Sequence, residues 1–135
     1  MEASGEKLER AGTMLIGTVQ GDLHDLGKNL VATMFVTKGF EVINLGNDVA
    51  VEDFVAGVRD NRPQIVGMSA LLTTTMEVQR EVIEALQAAG LRHEVKVMVG
   101  GAPVNQRWAD EIGADAFASD AIDGLRKARA MLGLN

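Results

Sequence analysis

The chain has 135 residues, no cysteine and a formal net charge of −6. This length fits one domain with a core of ordinary size, and the lack of cysteine excludes disulfides and thiolate metal ligands. An acidic chain without a run of Lys or Arg argues against nucleic-acid binding, and no apolar stretch is long enough to span a bilayer. Because the first residues also lack the pattern of a signal peptide, we expect a cytoplasmic protein.

Strand-like and helix-like runs alternate along the chain. Short apolar runs at 13–19, 41–45, 65–69, 96–99 and 116–118 predict parallel strands that are covered on both faces. The apolar stripes that predict the intervening helices are Leu30, Val31, Met34 and Phe35; Phe54, Val55 and Val58; Met76, Val82, Ile83 and Leu86; Trp108 and Ile112; and Ile122, Leu125 and Leu132. Residues 1–12 are interpreted as a linker or the end of an upstream helix, and residues 13–135 as the domain.

Repeated βα units predict the fold class. Right-handed crossovers between five parallel strands give an α/β, doubly wound, Rossmann-like (flavodoxin-like) sandwich with a five-stranded parallel sheet. Ligands of such sheets bind beyond the carboxyl ends of the strands, near the switch between the first and third strands. Residues that follow those strands are therefore the first candidates for a functional site.

The loop after the first strand carries a possible metal ligand. In Gly21-Asp22-Leu23-His24-Asp25-Leu26-Gly27, a histidine stands between two aspartates and glycines bound the loop. Asp22 is close enough to accept a hydrogen bond from one ring nitrogen of His24, which leaves the other nitrogen for a metal. The alternative is a solvated βα loop with no ligand.

Two other strand ends carry small or hydroxyl-bearing residues. Segment 69–75, Ser-Ala-Leu-Leu-Thr-Thr-Thr, follows the third strand, and its alternative interpretation is that Thr74 or Thr75 caps a helix. Segment 100–103, Gly-Gly-Ala-Pro, follows the fourth strand, and its alternative is a tight turn. Together with the histidine loop, these segments predict a narrow channel lined by small residues.

With these segments in this order, the chain resembles the cobalamin-binding domain of cobalamin-dependent methionine synthase and of corrinoid proteins in methyltransferase systems. The resemblance covers roughly residues 13–132. Residues 21–29 resemble the family's D-x-H-x-x-G loop in its methyltransferase form, which continues with Lys28 and Asn29. Ser69-Ala70-Leu71 matches the S-x-L motif, and Gly100-Gly101 matches the G-G motif.

The resemblance implies a role for each matching residue. His24 would be the lower axial ligand of cobalt in place of the cofactor's own benzimidazole, Asp22 would hold His24, and Thr75 would complete a hydrogen-bonded relay. These three are the residues implied to act in the chemistry, since a carboxylate and a hydroxyl can take up or release a proton as the axial ligand leaves and returns. The implied cofactor-binding residues are Gly21, Asp22, Leu23, His24, Asp25, Gly27, Ser69, Leu71, Thr73, Gly100, Gly101 and Ala121.

The resemblance also implies partners. A cobalamin or related corrinoid would carry a methyl group between methyltransferase subunits or domains, with a reductive activator, while substrate contacts lie on those partners. In many members a helical cap upstream of this domain covers the methyl face of the corrin. Almost no sequence precedes the first strand here, so the corrin face is expected to be exposed and to bind a partner or a second copy. The alternatives are the cobalamin-binding subunit of an adenosylcobalamin mutase and a non-catalytic cobalamin carrier or sensor. A phosphate-binding loop, a phosphorelay receiver and a dinucleotide-binding domain fit the motifs poorly.

Overall fold

The structure is a computed structural model of the chain, and it describes residues 11–134. The strands are β1 Gly12–Thr18, β2 Phe40–Asn44, β3 Ile65–Ser69, β4 Lys96–Gly100 and β5 Ala116–Ala118. The helices are α1 Leu26–Thr37, α2 Val51–Asn61, α3 Thr73–Ala88, α4 Gln106–Ile112 and α5 Ala121–Met131, and a 3-10 turn covers Arg92–Glu94. The predicted alternation of strands and helices is therefore confirmed. Residues 1–10 of the predicted linker lie outside the described residues, and Gly12 already belongs to β1.

The five strands form one parallel sheet in the order β2-β1-β3-β4-β5. Each neighbouring pair is parallel; β1 pairs with both β2 and β3, so that Ile16 lies between Asn44 and Gly67. The order along the sheet reverses between β1 and β3, which is the switch point of a doubly wound fold. This arrangement confirms the predicted fold class and brings the loops after β1, β3 and β4 to the same edge.

Each face of the sheet is covered by its own set of helices. On one face, Leu15 and Val66 pack with Phe54 of α2 and Val82 of α3. On the other face, strand residues such as Met14 and Met98 pack with α1 and α5, through Phe35 and Leu125. Burial on both faces explains why the strands are continuously apolar and not alternating. No helix within residues 11–134 is long and apolar enough to cross a membrane.

Two residues of the predicted apolar stripes are not in the core. Leu30 is 56% exposed and Ile122 is 69% exposed. The buried face of α5 instead contains small residues, and a Cβ at Gly124 would lie only 3.1 Å from the Ala118 Cβ. Ile122 lies on the exposed face of α5, and Leu30 of α1 borders a groove that runs over the sheet between α1 and the start of α5.

Candidate cofactor-binding site

The loop that follows β1 is held by the loop that follows β2. Gly21 turns the chain with a φ of +88°, a conformation that glycine adopts without strain. Its N–H donates to Asp48 Oδ1 over 2.8 Å, and the Asp48 N–H donates to the Asp22 carbonyl oxygen over 3.0 Å. Asn47 Nδ2 donates to the Leu23 carbonyl oxygen over 2.9 Å. Side-chain and backbone hydrogen bonds therefore fix the backbone of this loop.

His24 in this loop has one anchored ring nitrogen. Nδ1 lies 2.8 Å from Asp22 Oδ1, and the same oxygen accepts the backbone N–H of His24 over 3.1 Å. The His24 side chain is 55% exposed, whereas the Asp22 side chain is fully buried. Because an ionised carboxylate can only accept, Nδ1 donates to Asp22, and Nε2 takes no part in this hydrogen bond. Nε2 is therefore the ring nitrogen that could bind a metal.

The other oxygen of Asp22 connects this loop to the segment after β3. Asp22 Oδ2 accepts the Leu71 N–H over 2.7 Å and the Thr75 hydroxyl over 2.8 Å. Burial by itself raises the pKa of Asp22, but the hydrogen bonds from Leu71, His24 and Thr75 outweigh it and lower the pKa to about 2. The carboxylate is therefore ionised at neutral pH, and the predicted contacts of His24 and Thr75 with Asp22 are both present.

Thr75 lies inside the first turn of α3 and not at its N-cap. The helix begins at Thr73 and its N-cap is Leu72, in an extended conformation. Thr75 Oγ1 also lies 3.0 Å from the Leu72 carbonyl oxygen and accepts the Leu72 N–H over 3.3 Å. Neither Thr74 nor Thr75 is therefore the N-cap, because the helix begins before them, although the Thr75 hydroxyl contributes to capping by accepting the Leu72 N–H.

An open groove of about 850 Å³ begins beside His24 and runs over the sheet between α1 and α5. Strand residues such as Met14, Ile16 and Met98 give it an apolar floor. Nine predicted residues line this groove, namely Leu23, His24, Asp25, Gly27, Ser69, Leu71, Gly100, Gly101 and Ala121. Three of the predicted cofactor-binding residues do not: Gly21 and Asp22 support the loop, and Thr73 is exposed at the start of α3.

Position 101 requires glycine because the ends of two strands approach each other closely there. Its φ is +124°, and a Cβ at this position would overlap the Ala70 carbonyl oxygen. Gly100 is less restricted, since its Cβ would lie 3.2 Å from the Ala118 carbonyl oxygen. The glycine pair lines the groove as predicted, but the conformation of Gly101 and its contact with Ala70 also demand glycine, which the sequence did not reveal.

Sequence analysis missed a buried lysine beside the loop. Lys28 is 3% exposed, and its Nζ donates to Asn29 Oδ1 over 2.8 Å and to Asn44 Oδ1 over 2.9 Å. These bonds tie the first turn of α1 to the end of β2. Burial lowers the pKa of Lys28, and the nearby charge of Asp25 opposes that shift. The only signal in the sequence was the Lys-Asn pair that continues the loop motif.

Exposed leucines lie in the segments around the imidazole. Leu23 is 70% exposed, Leu26 is 84% exposed and Leu72 is 43% exposed, and we call these three the apolar rim. In the described part of the chain, no group of three or more His, Cys, Asp or Glu side chains is placed to hold a metal ion. A flat, largely apolar macrocycle with a long substituent fits the rim, the single ligand and the groove.

Comparison with known proteins assigns this site to a family. A family model described as the B12 binding domain matches residues 12–126. The chain belongs to the B12 binding domain family. The resemblance seen in the sequence motifs is therefore confirmed, and so is cobalamin or a related corrinoid as the cofactor.

Similar B12 binding domains occur in corrinoid proteins. The chain is 48% identical over 132 residues to trimethylamine corrinoid protein 2 of Methanosarcina mazei, covering 98% of this chain and 61% of that protein. The structure of a cobalamin-binding protein from Desulfitobacterium hafniense DCB-2 is 43% identical, with a TM-score of 0.87 over 90% of this chain and 59% of that chain. A chain in the structure of a methanol:cobalamin methyltransferase complex from Methanosarcina barkeri is 32% identical, with a TM-score of 0.88 over 98% of this chain and 50% of that one.

The chain spans about 60% of the length of the curated relatives that it matches. The match therefore concerns the B12 binding domain that these proteins share with this chain. Within that domain, His24 and the groove are the features of this chain that fit a corrinoid.

Proposed function

We propose that this chain binds a corrinoid with His24 as the lower axial ligand and carries a methyl group on cobalt between methyltransferase partners. The observation that carries the proposal is the state of the imidazole: Nδ1 is anchored on the buried Asp22 carboxylate, 2.8 Å away, and Nε2 is available at the head of a groove. The groove is large enough for the nucleotide tail of a corrinoid whose benzimidazole has left cobalt. In this arrangement the tail lies between α1 and α5.

The residues around His24 have distinct tasks in this function. The bound corrinoid supplies the cobalt chemistry of methyl transfer, and the protein positions and tunes it. The Asp22 carboxylate orients the imidazole by accepting from Nδ1, which would leave Nε2 to hold the cobalt. The Leu71 N–H and the Thr75 hydroxyl keep that carboxylate ionised.

The names of similar proteins indicate the proposed partners. A methanol:cobalamin methyltransferase complex contains a domain of this fold, and the curated relatives are corrinoid proteins named for methylamines. By analogy, we propose methyltransferase subunits or domains as donors and acceptors, and a reductive activator, all in the cytoplasm. These partners would approach the upper face of the corrin, opposite His24.

Labelled histidine tests the axial ligand. The chain has two histidines, and His93 lies on the surface in the 3-10 turn, so His93→Ala is a matched control for His24→Ala. After addition of hydroxocobalamin and reduction to Co(II), we expect nitrogen-15 histidine to change the hyperfine splitting in the electron spin resonance spectrum. The change should persist in His93→Ala and disappear in His24→Ala.

If nitrogen-15 histidine leaves the hyperfine splitting of the wild-type protein unchanged, the cofactor's own base, or no nitrogen, is bound to cobalt. An effect of the label that survives in His24→Ala would place the ligand elsewhere in the chain. Either result contradicts the assignment of His24.

Sedimentation tests whether the corrin face associates. A bound corrin would present a broad, partly apolar upper face, and large exposed apolar surfaces of soluble proteins commonly bind a partner. We therefore expect the cofactor-free protein to sediment as a monomer and the cobalamin-loaded protein to sediment as a dimer at micromolar concentration. Addition of a methyltransferase partner should convert the dimer to a mixed complex. If the cobalamin-loaded protein remains monomeric over the whole concentration range, the predicted self-association is wrong.

A further inference from the structure

Gln79 is a fully buried polar side chain that belongs to none of the motifs. It lies in α3, one turn after Thr75. Its Nε2 donates to the Met68 carbonyl oxygen over 3.0 Å and to the Gly100 carbonyl oxygen over 3.3 Å. Its Oε1 accepts the Trp108 indole N–H over 2.9 Å. A single carboxamide therefore connects α3 and α4 to the carboxyl ends of β3 and β4.

The orientation of this carboxamide is determined by its partners. Backbone carbonyl oxygens only accept and the indole N–H only donates, so the Gln79 amide cannot flip without losing its hydrogen bonds. Trp108 is itself held in place, because the Arg80 guanidinium lies 5.1 Å from the centre of its ring and forms an ion pair with Glu111 over 2.9 Å. Since an unpaired polar group at a buried position is costly, the network favours one spacing between α3 and the two strand ends.

The two strand ends that Gln79 holds lead directly into the cofactor site. The Gly100 carbonyl oxygen also accepts the Ala70 N–H over 3.1 Å, and Gly101 then packs against the Ala70 carbonyl group. Leu71, the residue after Ala70, donates its N–H to Asp22 Oδ2 over 2.7 Å. The position of that N–H relative to the carboxylate thus depends on where β3 and β4 end.

We infer that Gln79 is a positioning residue for the His24 loop. By fixing the distance between α3 and the ends of β3 and β4, it brings the Thr75 hydroxyl and the Leu71 N–H to the same oxygen of Asp22. The effect on the cofactor rests on the proposed function, in which Asp22 orients His24 toward cobalt. The effect on the Asp22 hydrogen bonds does not depend on any cofactor.

Hydrogen exchange in the cofactor-free protein tests this role. Gln79→Met keeps the length and volume of the side chain but removes its hydrogen bonds. Val82→Ala is the matched control, because Val82 is fully buried in the same helix and removing its methyl groups weakens the core while leaving the Gln79 hydrogen bonds in place. The measurement is the exchange rate of the Leu71 amide divided by that of core amides in β3. We expect this ratio to rise about tenfold in Gln79→Met, because losing buried hydrogen bonds makes local opening around Leu71 easier, and to stay unchanged in Val82→Ala.

An equal ratio in the wild type and both variants would show that Gln79 only packs, and would overturn the inference. If Gln79→Met does not fold, Trp108→Phe decides the question. It removes the indole N–H that orients the carboxamide while leaving Gln79 in place, so the ratio should rise by about threefold. An unchanged ratio in a folded Trp108→Phe variant would also overturn the inference.

Cobalamin binding provides a separate measurement. We expect the Kd for hydroxocobalamin to rise about tenfold in Gln79→Met and by less than about twofold in Val82→Ala. A wild-type protein that does not bind hydroxocobalamin would overturn the proposed function, whereas equal Kd values in the wild type and Gln79→Met, with equal exchange ratios, would overturn the role of Gln79.

Discussion

Replacing Gly101 by alanine is expected to lower the free energy of unfolding by about 3 kcal/mol or more, because the new Cβ would overlap a backbone carbonyl group and the residue would be strained. The φ of Gly101 is +124°, and the atom that a Cβ would meet is the Ala70 carbonyl oxygen. A backbone carbonyl group cannot move aside as the end of a flexible side chain can. Relief of the overlap has to separate β3 from β4 and move Leu71 away from Asp22. Urea unfolding of the cofactor-free protein measures this loss.

Gly113→Ala is the matched control for Gly101→Ala. Gly113 also has a positive φ, +82°, but a Cβ at that position would meet no atom within 4 Å. Its substitution should cost about 1–2 kcal/mol, which is the strain of a left-handed residue alone. Cobalamin binding should be normal in Gly113→Ala and weak in whatever fraction of Gly101→Ala folds. Equal losses of stability in the two variants would contradict the close approach of Gly101 to Ala70.

The sequence predicted the sheet well because its strands are buried on both faces. Such strands are short apolar runs, and segments such as 65–69 and 116–118 have the predicted bounds in the structure. The helical faces were harder to predict. Leu30 and Ile122 have the spacing of core residues, but Leu30 borders an open groove, and the buried residues of α5, apart from Leu125, are small. Hydrophobic periodicity identifies an apolar side chain and does not distinguish a core contact from the wall of a groove.

The candidate site was predictable where one short segment contains the chemistry. The spacing of Asp22 and His24 allowed the hydrogen bond that the structure contains, at 2.8 Å. The contacts of Thr75 and Leu71 with Asp22 span about fifty residues, and only the family resemblance indicated the first of them. Gln79 was not predictable, because a glutamine in an amphipathic helix ordinarily faces solvent. Its role depends on carbonyl groups and an indole that only the folded chain brings together.

The stability of the cofactor-free protein is expected to depend on pH through Asp22. The pKa of Asp22 is lowered from 3.8 to about 2 in the folded state, so the unfolded chain binds more protons between these values. This carboxylate therefore stabilises the fold fully above pH 3.8, and the contribution is lost as the pH falls through 2. The shift corresponds to about 2 kcal/mol. Urea unfolding at several pH values between 7 and 2, in the wild type and in Asp22→Asn, measures it.

The difference between the two proteins isolates this residue from the rest of the acid effect. Asp123 also has a lowered pKa, chiefly because the Ser119 N–H donates to it, and it destabilises both proteins alike as the pH falls. Its contribution cancels, so the stability advantage of the wild type over Asp22→Asn should shrink by about 2 kcal/mol from pH 7 to pH 2. If the advantage of the wild type over Asp22→Asn is the same at pH 2 as at pH 7, the hydrogen bonds from Leu71, His24 and Thr75 do not select the ionised carboxylate, and the lowered pKa of Asp22 is contradicted.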